Sequence, residues 1–194
     1  MSKQPNPMHS ALMVIDLQND IIHPDGKLAG CAKMAADIRL IEHANTAIRS
    51  ARRNHWPVIF IRVGFSAHYT ECSTRSPLFA YVRQVQALQL NTWGAEFDKH
   101  LDIQPDDSVI TKHRVGGFYA TRLPAILIAQ HIQHVVLCGV STDFAVQMTA
   151  REAHDRDYQV SIVQDACAAN SLEDHHNTIK LLEKFTKIIN SSDL

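Results

Sequence analysis

The sequence carries three features that can do chemistry, and each follows an apolar run. Asp16 ends the first run, Lys112 follows the third, and the fourth passes into Ser141 and Thr142. A lysine beside a carboxylate fixes its ionisation and places a proton donor. The free N–H groups at the start of a helix bind anionic oxygen. The pattern therefore predicts a site for a small polar or anionic substrate.

These residues need a scaffold that brings them together. Apolar runs bounded by polar residues predict five strands, at 11–15, 58–63, 108–111, 135–140 and 160–163. Segments with helical spacing alternate with them, at 34–48, 122–130, 143–155 and 172–188. Ser171 precedes the last segment as a predicted N-cap. The alternation predicts one three-layer α/β/α domain with a parallel sheet, spanning 1–194.

The carboxyl ends of parallel strands share one edge of the sheet, and ligands bind there. We therefore expect Asp16, Lys112 and the turn after the fourth strand to converge. The least regular stretch is 65–101, whose part 70–77 is rich in turn residues. A loop of that length is either functional or a plain solvated connection.

Composition excludes several classes of protein. With 45% hydrophobic and 20% charged residues, the 194-residue chain is expected to fold alone. A formal net charge of -1 lacks the basic excess that nucleic-acid binding requires. The apolar runs are too short to span a membrane, and residues 1–10 lack a signal-peptide pattern, so we expect a cytoplasmic protein. The 4 cysteines are widely spaced, which indicates reduced thiols.

Two cofactor motifs and one catalytic motif are missing from the sequence. Residues 16–20 (DLQND) follow the first run without a glycine, so neither a dinucleotide fingerprint nor a P-loop is present. NAD and ATP are not expected, and we predict no cofactor. The chain also lacks the G-x-S-x-G elbow of serine α/β-hydrolases.

Position 145 decides which nucleophilic mechanisms are available. A cysteine in the first helical turn after Ser141 would have a lowered pKa and act as a thiolate nucleophile. The residue there is Ala145. Cys138 is predicted to be a buried strand residue, and Cys167 has no identifiable partner base.

Several ordered motifs resemble those of the isochorismatase-like hydrolase superfamily, which includes nicotinamidases and carbamoylsarcosine-type hydrolases. The resemblance rests on VIDLQND at 14–20, TKH at 111–113, GVSTDFAV at 139–146 and TAREA at 149–153. Further family-like segments are NTWGAE at 91–96 and DAC at 165–167. The similarity thus extends over nearly the whole chain.

The resemblance implies a homo-oligomer with a catalytic acid at Asp16 and a catalytic lysine at Lys112. It also implies a cis peptide bond before Ser141, and N–H groups around 141 and 145 that hold an oxyanion. In the amidases a nucleophilic cysteine stands where this chain has Ala145. Acyl transfer through a thioester requires a sulfur nucleophile, which the methyl side chain of Ala145 lacks.

Nicotinamidase-type relatives also bind a metal through an Asp and two His after the second strand. The corresponding residues 61–68 contain His68 but no acidic residue, so no metal is expected. The adjacent pair His175 and His176 is interpreted as the solvated start of a helix.

Further residues are candidates for substrate binding. Arg62 and Arg114 flank the same end of the sheet and suit a carboxylate, although plain surface solvation would also explain them. Trp93 and Phe118 either wall the pocket or belong to the core. Asp143 is interpreted as a helix cap.

Three functions fit these observations. The leading one is cysteine-independent hydrolysis of the isochorismatase type, with Asp16 as general acid and Lys112 as its electrostatic partner. The second is an amidase whose cysteine has been replaced by Ala145, which the native codon would decide. The third is a non-catalytic binding or assembly subunit that keeps the pocket.

Overall fold

A computed structural model describes residues 9–194 and contains a six-stranded parallel sheet flanked by helices. The strands are β1 (Ser10–Ile15), β2 (Val58–Val63), β3 (Ser108–Lys112), β4 (His134–Val140), β5 (Gln159–Ala168) and β6 (Lys187–Ile189). The helices are α1 (Asn19–Ile22), α2 (Ala32–Asp37), α3 (Leu40–Arg53), α4 (Pro77–Gln84), α5 (Leu123–Ala129), α6 (Gln147–His154) and α7 (Leu172–Leu182). The predicted three-layer fold is confirmed.

The strand order is β3-β2-β1-β4-β5-β6, and every neighbouring pair is parallel. The chain builds the sheet outward from β1 to β3 and then starts again beside β1 with β4. The order therefore reverses between β1 and β4, which is the topological switch point where open α/β sheets bind ligands.

Burial explains why these segments form their elements. All residues of β1 and β4 are buried, as expected for central strands covered on both faces. The helix α3 turns its apolar stripe, including Leu40, Ala44 and Ile48, into the core. Ser171 Oγ accepts the N–H of Asp174 at 3.0 Å, which confirms the predicted N-cap of α7.

The structure corrects several predicted boundaries. The helix predicted at 34–48 is divided because Arg39 has a φ of 53°, which ends α2 and starts α3 in a new direction. The helix predicted at 172–188 ends at Leu182, and the chain then forms β6. This sixth strand escaped prediction because it is only 3 residues long.

The stretch 65–101 is not a bare loop. It contains α4, which the sequence analysis missed, and a short 3₁₀ helix at Trp93–Ala95. Phe79 and Val82 of α4 pack with Phe65 in a second hydrophobic cluster beside the main core. Among the described residues, no helix is both long and apolar enough to cross a membrane.

Candidate active site

The switch point brings the ends of β1 and β4 side by side. Ile15 pairs with Gly139 across these two strands, so Asp16 and the Ser141 turn leave the sheet at the same place. Asp16 has a φ of 55°, and its N–H donates to Ile61 O of β2 at 2.8 Å. This backbone bond fixes the carboxyl group at the edge of the sheet.

Lys112 comes from β3, two strands away, and reaches Asp16 across β2. Its Nζ donates to Asp16 Oδ2 at 2.7 Å, and both residues are almost fully buried. The same Nζ donates to the carbonyls of Arg114 at 3.2 Å and Val115 at 2.8 Å. An ammonium group has three N–H bonds, so these acceptors use all of them. The positive charge of Lys112 is therefore held in a fixed position beside Asp16.

Asp16 Oδ1 is the unused polar atom of this pair. It is buried, and no group in residues 9–194 hydrogen-bonds to it. Burial raises the pKa of Asp16 above its ordinary value, and the Lys112 ammonium offsets part of that rise. A buried carboxyl group with a raised pKa is suited to hold a proton and deliver it to a ligand.

The chain after β4 forms a wide helical turn. A cis peptide bond precedes Ser141, as the family resemblance implies, and the turn Thr142–Val146 follows it. The N–H groups of Phe144 and Val146 both donate to Ser141 O, at 3.2 and 3.1 Å. Among the described backbone groups, Ala145 N–H does not donate to that carbonyl. Turns wound this widely are frequent at functional sites.

A cavity of about 420 Å³ opens at this edge of the sheet. Asp16, Lys112, Arg114, Ser141 and Ala145 all line it, so five of the predicted site residues share one space. The volume lies within the range of small-molecule sites. The arrangement offers a buried acid, a fixed cation and the start of a helical turn to a single ligand.

The two candidate arginines are separated by strand geometry. Arg114 lines the cavity, where its Nη1 donates to the carbonyls of Glu71 and His113. Arg62 does not line it, and its Nε instead donates to Thr111 Oγ1 at 3.2 Å. Side chains alternate along β2, so Arg62 faces away from the side that Val63 presents to the cavity.

Trp93 and Phe118 lie outside the cavity, which corrects the expectation that they wall it, and Thr142 does not line it either. Trp93 is 48% exposed and packs edge-on against His23. Phe118 is a core residue. Thr142 is fully buried, and its side chain points to His175 Nδ1 at 2.9 Å. The alternative interpretation of Phe118, as a residue of the hydrophobic core, agrees with the structure.

Most of the residues that line the cavity were not predicted from the sequence. Apolar residues from α1, from the segment after it and from α4 contribute a third of the lining: Ile21, Leu28, Ala29, Leu78, Phe79, Tyr81 and Val82. Cys31 and Asn170 also line the cavity. The apolar spacing of 78–82 (LFAYV) was the signal that could have identified α4.

Cys31 is the one cavity-lining thiol in the part of the chain that the structure describes. Burial, with a smaller contribution from Asp143, raises its pKa to about 12. It therefore remains a neutral thiol at neutral pH and does not replace the missing nucleophile at 145. Cys138 and Cys167 are also buried, and burial raises the pKa of each.

The residues present do not fit the metal site of nicotinamidase-type relatives. Within residues 9–194, no three His, Cys, Asp or Glu side chains are grouped closely enough to hold an ion. His68 follows β2 in an exposed position and does not line the cavity.

A doubly wound parallel sheet, with a buried acid–lysine pair beside a strand-to-helix turn, defines the class of isochorismatase-like α/β hydrolases. The sequence profile of the Isochorismatase domain matches residues 10–193, and the chain belongs to this family.

Individual relatives agree with the family assignment. The chain is 34% identical over 174 residues to the isochorismatase family protein YecD of Escherichia coli O157:H7, covering 90% of this chain and 87% of the relative. A cysteine hydrolase of Pseudomonas syringae pv. phaseolicola 1448A has the same fold, with a TM-score of 0.86, 24% identity and coverage of 100% and 96% of the two chains. The N-carbamoylsarcosine amidase of Thermoplasma acidophilum is 27% identical, with a TM-score of 0.78 and coverage of 96% and 99%.

Proposed function

We propose that this chain hydrolyses a small anionic molecule without a cysteine nucleophile, with Asp16 as the general acid. The observation that carries the proposal is the buried Oδ1 of Asp16, which has no hydrogen-bond partner within residues 9–194 and lies at a cavity that Ala145 also lines. A methyl side chain cannot attack a carbonyl, whereas proton transfer from Asp16 needs no nucleophilic side chain.

The reaction that fits this acid is hydrolysis of an enolpyruvyl ether. Asp16 gives its proton to the terminal CH₂ carbon, and the C=C electron pair forms the new C–H bond. The resulting oxocarbenium ion accepts water, whose released proton returns to Asp16. The hemiketal then breaks its C–O bond to give pyruvate and an alcohol. The net change is the addition of one water, so no oxidant or cofactor is needed.

The remaining groups have electrostatic roles in this proposal. The Lys112 ammonium, fixed 2.7 Å from Asp16 Oδ2, stabilises the carboxylate that forms when the proton leaves. Arg114 is a partner for the substrate carboxylate, and the turn at 141–145 provides N–H groups for anionic oxygen. Lys112, Arg114, Ser141 and Ala145 border the same cavity.

The proposal is tested by pyruvate release from two enolpyruvyl ethers, isochorismate and 2-butoxyacrylate. We expect turnover by the wild-type chain and a loss of at least about 100-fold in kcat for Asp16→Asn, which keeps the shape but carries no acidic proton. Ile128→Ser, an exposed change on α5, is the matched control. No pyruvate from either ether, or equal turnover by Asp16→Asn, would contradict the proposal.

Two alternatives predict different results. An amidase that has lost its cysteine should regain amide hydrolysis on Ala145→Cys and should show no pyruvate release. A non-catalytic subunit should bind ligands and turn over neither ether.

The homo-oligomer implied by the family resemblance stays a prediction, which light scattering after size-exclusion chromatography tests.

A further inference from the structure

The helix α4 forms an apolar wall of the cavity. Leu78, Phe79, Tyr81 and Val82, called here the α4 wall, all line the space that Asp16 borders. They are half of the eight residues of this helix. A wall of this chemistry offers no hydrogen bonds to a sugar or a polyol, apart from the Tyr81 hydroxyl, and instead favours hydrocarbon.

The α4 wall is held in place from behind. Phe79 and Val82 are 7% and 2% exposed and pack into the cluster around Phe65. Leu78 and Tyr81 are 42% and 51% exposed, so they stand toward solvent at the cavity. Because two of the four side chains are anchored, the wall is a preformed surface whose other two side chains gain burial when an apolar ligand arrives.

The charged groups of the cavity are few and mostly cationic. Its lining contains Lys27, Lys112 and Arg114 but only one carboxylate, that of Asp16. Lys112 has all its N–H groups bonded, and Lys27 Nζ donates to Gln86 O at 2.7 Å. Lys27 is exposed to solvent, whereas Arg114 is partly buried. The Arg114 guanidinium donates to two carbonyls through Nη1 and lies 5.9 Å from the centroid of the Phe79 ring. Because Lys27 is exposed and Lys112 is fully bonded, Arg114 is the partly buried cation that we expect to pair with one anionic group.

We propose that the substrate is a monocarboxylate with an apolar body, which lies against the α4 wall while its carboxylate pairs with Arg114. This inference rests on the proposed function and specifies its substrate class: an enolpyruvyl ether of an apolar alcohol rather than of a polar, doubly charged one. The α4 wall is then the specificity-determining element, and Asp16 acts on the carboxylate-bearing end.

Binding of simple carboxylates tests this without any turnover. Isothermal titration calorimetry should show tighter binding along the series butyrate, hexanoate and octanoate, with Kd falling about threefold for each added methylene. The sharpest comparison is hexanoate against adipate, which has the same carbon chain with a second carboxylate. We expect hexanoate to bind at least about tenfold more tightly. Equal or tighter binding of adipate would overturn the proposal.

Two variants assign the effect to α4. Leu78→Ser and Tyr81→Ser change partly exposed side chains, so the fold should persist, and each should flatten the dependence of Kd on chain length. Ile128→Ser removes an apolar side chain of α5 that is 69% exposed and outside the cavity, and should leave the series unchanged. An unchanged series in both α4 variants would show that the ligand lies elsewhere.

Failure of the substrate class and failure of the catalytic proposal are distinguishable. Asp16→Asn should lose pyruvate release but keep the preference for hexanoate over adipate, because the α4 wall is intact. If wild-type chain releases pyruvate yet prefers adipate, the general-acid proposal stands and the apolar substrate class is wrong. If the chain prefers hexanoate but releases no pyruvate, the apolar ligand class stands and the general-acid proposal is wrong.

Discussion

Thr142 and His175 are joined by a buried hydrogen bond of 2.9 Å between Oγ1 and Nδ1. Thr142 is the first residue of the turn that carries Ala145, and His175 lies in the first turn of α7. The bond therefore ties α7 to the candidate active site through a pair that is distant in sequence. His175 is 6% exposed, which corrects its interpretation as part of a solvated helix start.

We expect Thr142→Val to destabilise the chain by about 1 to 3 kcal/mol, because it leaves the buried Nδ1 of His175 without its partner. Urea denaturation measures the free energy of unfolding. Thr46→Val is the matched control, since the exposed Thr46 hydroxyl bonds only within its own helix, donating to Glu42 O and accepting from Arg49 Nη2. A loss no larger than that of the control would show that the bond contributes nothing to stability.

The chain should lose stability as the pH falls from 6.5 to 4. Burial lowers the pKa of both His134 and His175 from 6.5 to about 4, since the cations are poorly solvated there. Between these values the unfolded chain binds more protons, so acid favours unfolding, by about 2 to 3 kcal/mol for each imidazole. Urea denaturation at pH 7, 5.5 and 4.5 measures this. His175→Gln should reduce the pH dependence, and an unchanged dependence in this variant would contradict the role of His175.

Removing one partner of the Asp16–Lys112 pair should cost more than removing both charges. Lys112→Met leaves the buried Asp16 carboxyl group without its cation and its hydrogen-bond donor, and we expect a loss of about 3 to 5 kcal/mol in the free energy of unfolding at pH 7. The double variant Asp16→Asn with Lys112→Met should recover part of that loss. Additive effects in this double-mutant cycle, measured by urea denaturation, would contradict direct coupling of the two groups.

A thiol placed at position 145 should be reactive, unlike the four native thiols. Ala145→Cys puts the thiol in the cavity at the first helical turn after Ser141, where the free N–H groups favour the thiolate. Cys31 lines the same cavity, but burial raises its pKa to about 12. Iodoacetamide at pH 7.5, followed by mass spectrometry, should add one group to this variant and none to the wild type. Ala153→Cys, a fully buried position of α6, is the control and should stay unmodified. Modification of both variants at the same rate would show that position 145 has no special access.

Gly139 should be irreplaceable in β4. It has a φ of 120°, and a Cβ atom there would lie 2.0 Å from Ile15 O, in the strand that ends at Asp16. Gly139→Ala should therefore cost about 4 kcal/mol or prevent folding. Gly117→Ala is the control, because its Cβ would approach no atom closer than 3.2 Å. Thermal unfolding followed by circular dichroism compares the two, and similar Tm values would contradict the predicted strain.

Much of the site could be predicted because parallel strands align their carboxyl ends. Once five apolar runs alternate with helices, Asp16, Lys112 and the Ser141 turn must emerge at one edge of the sheet. The N-cap at Ser171 could also be predicted from the sequence, because capping is a local interaction between residues three apart. The lack of a nucleophilic cysteine at position 145 is also evident from the sequence alone.

Tertiary structure alone decided which side chains face the ligand. Strand alternation directs Arg62 away from the cavity. The face of β2 that lies toward the cavity is determined by the neighbouring strands and not by the residues of β2 alone. The α4 wall belongs to a stretch that reaches the site from far along the chain, and its position depends on packing against Phe65. Local sequence determined the elements and their order, whereas contacts between distant segments determined the shape and chemistry of the cavity, because only those contacts fix where each side chain points.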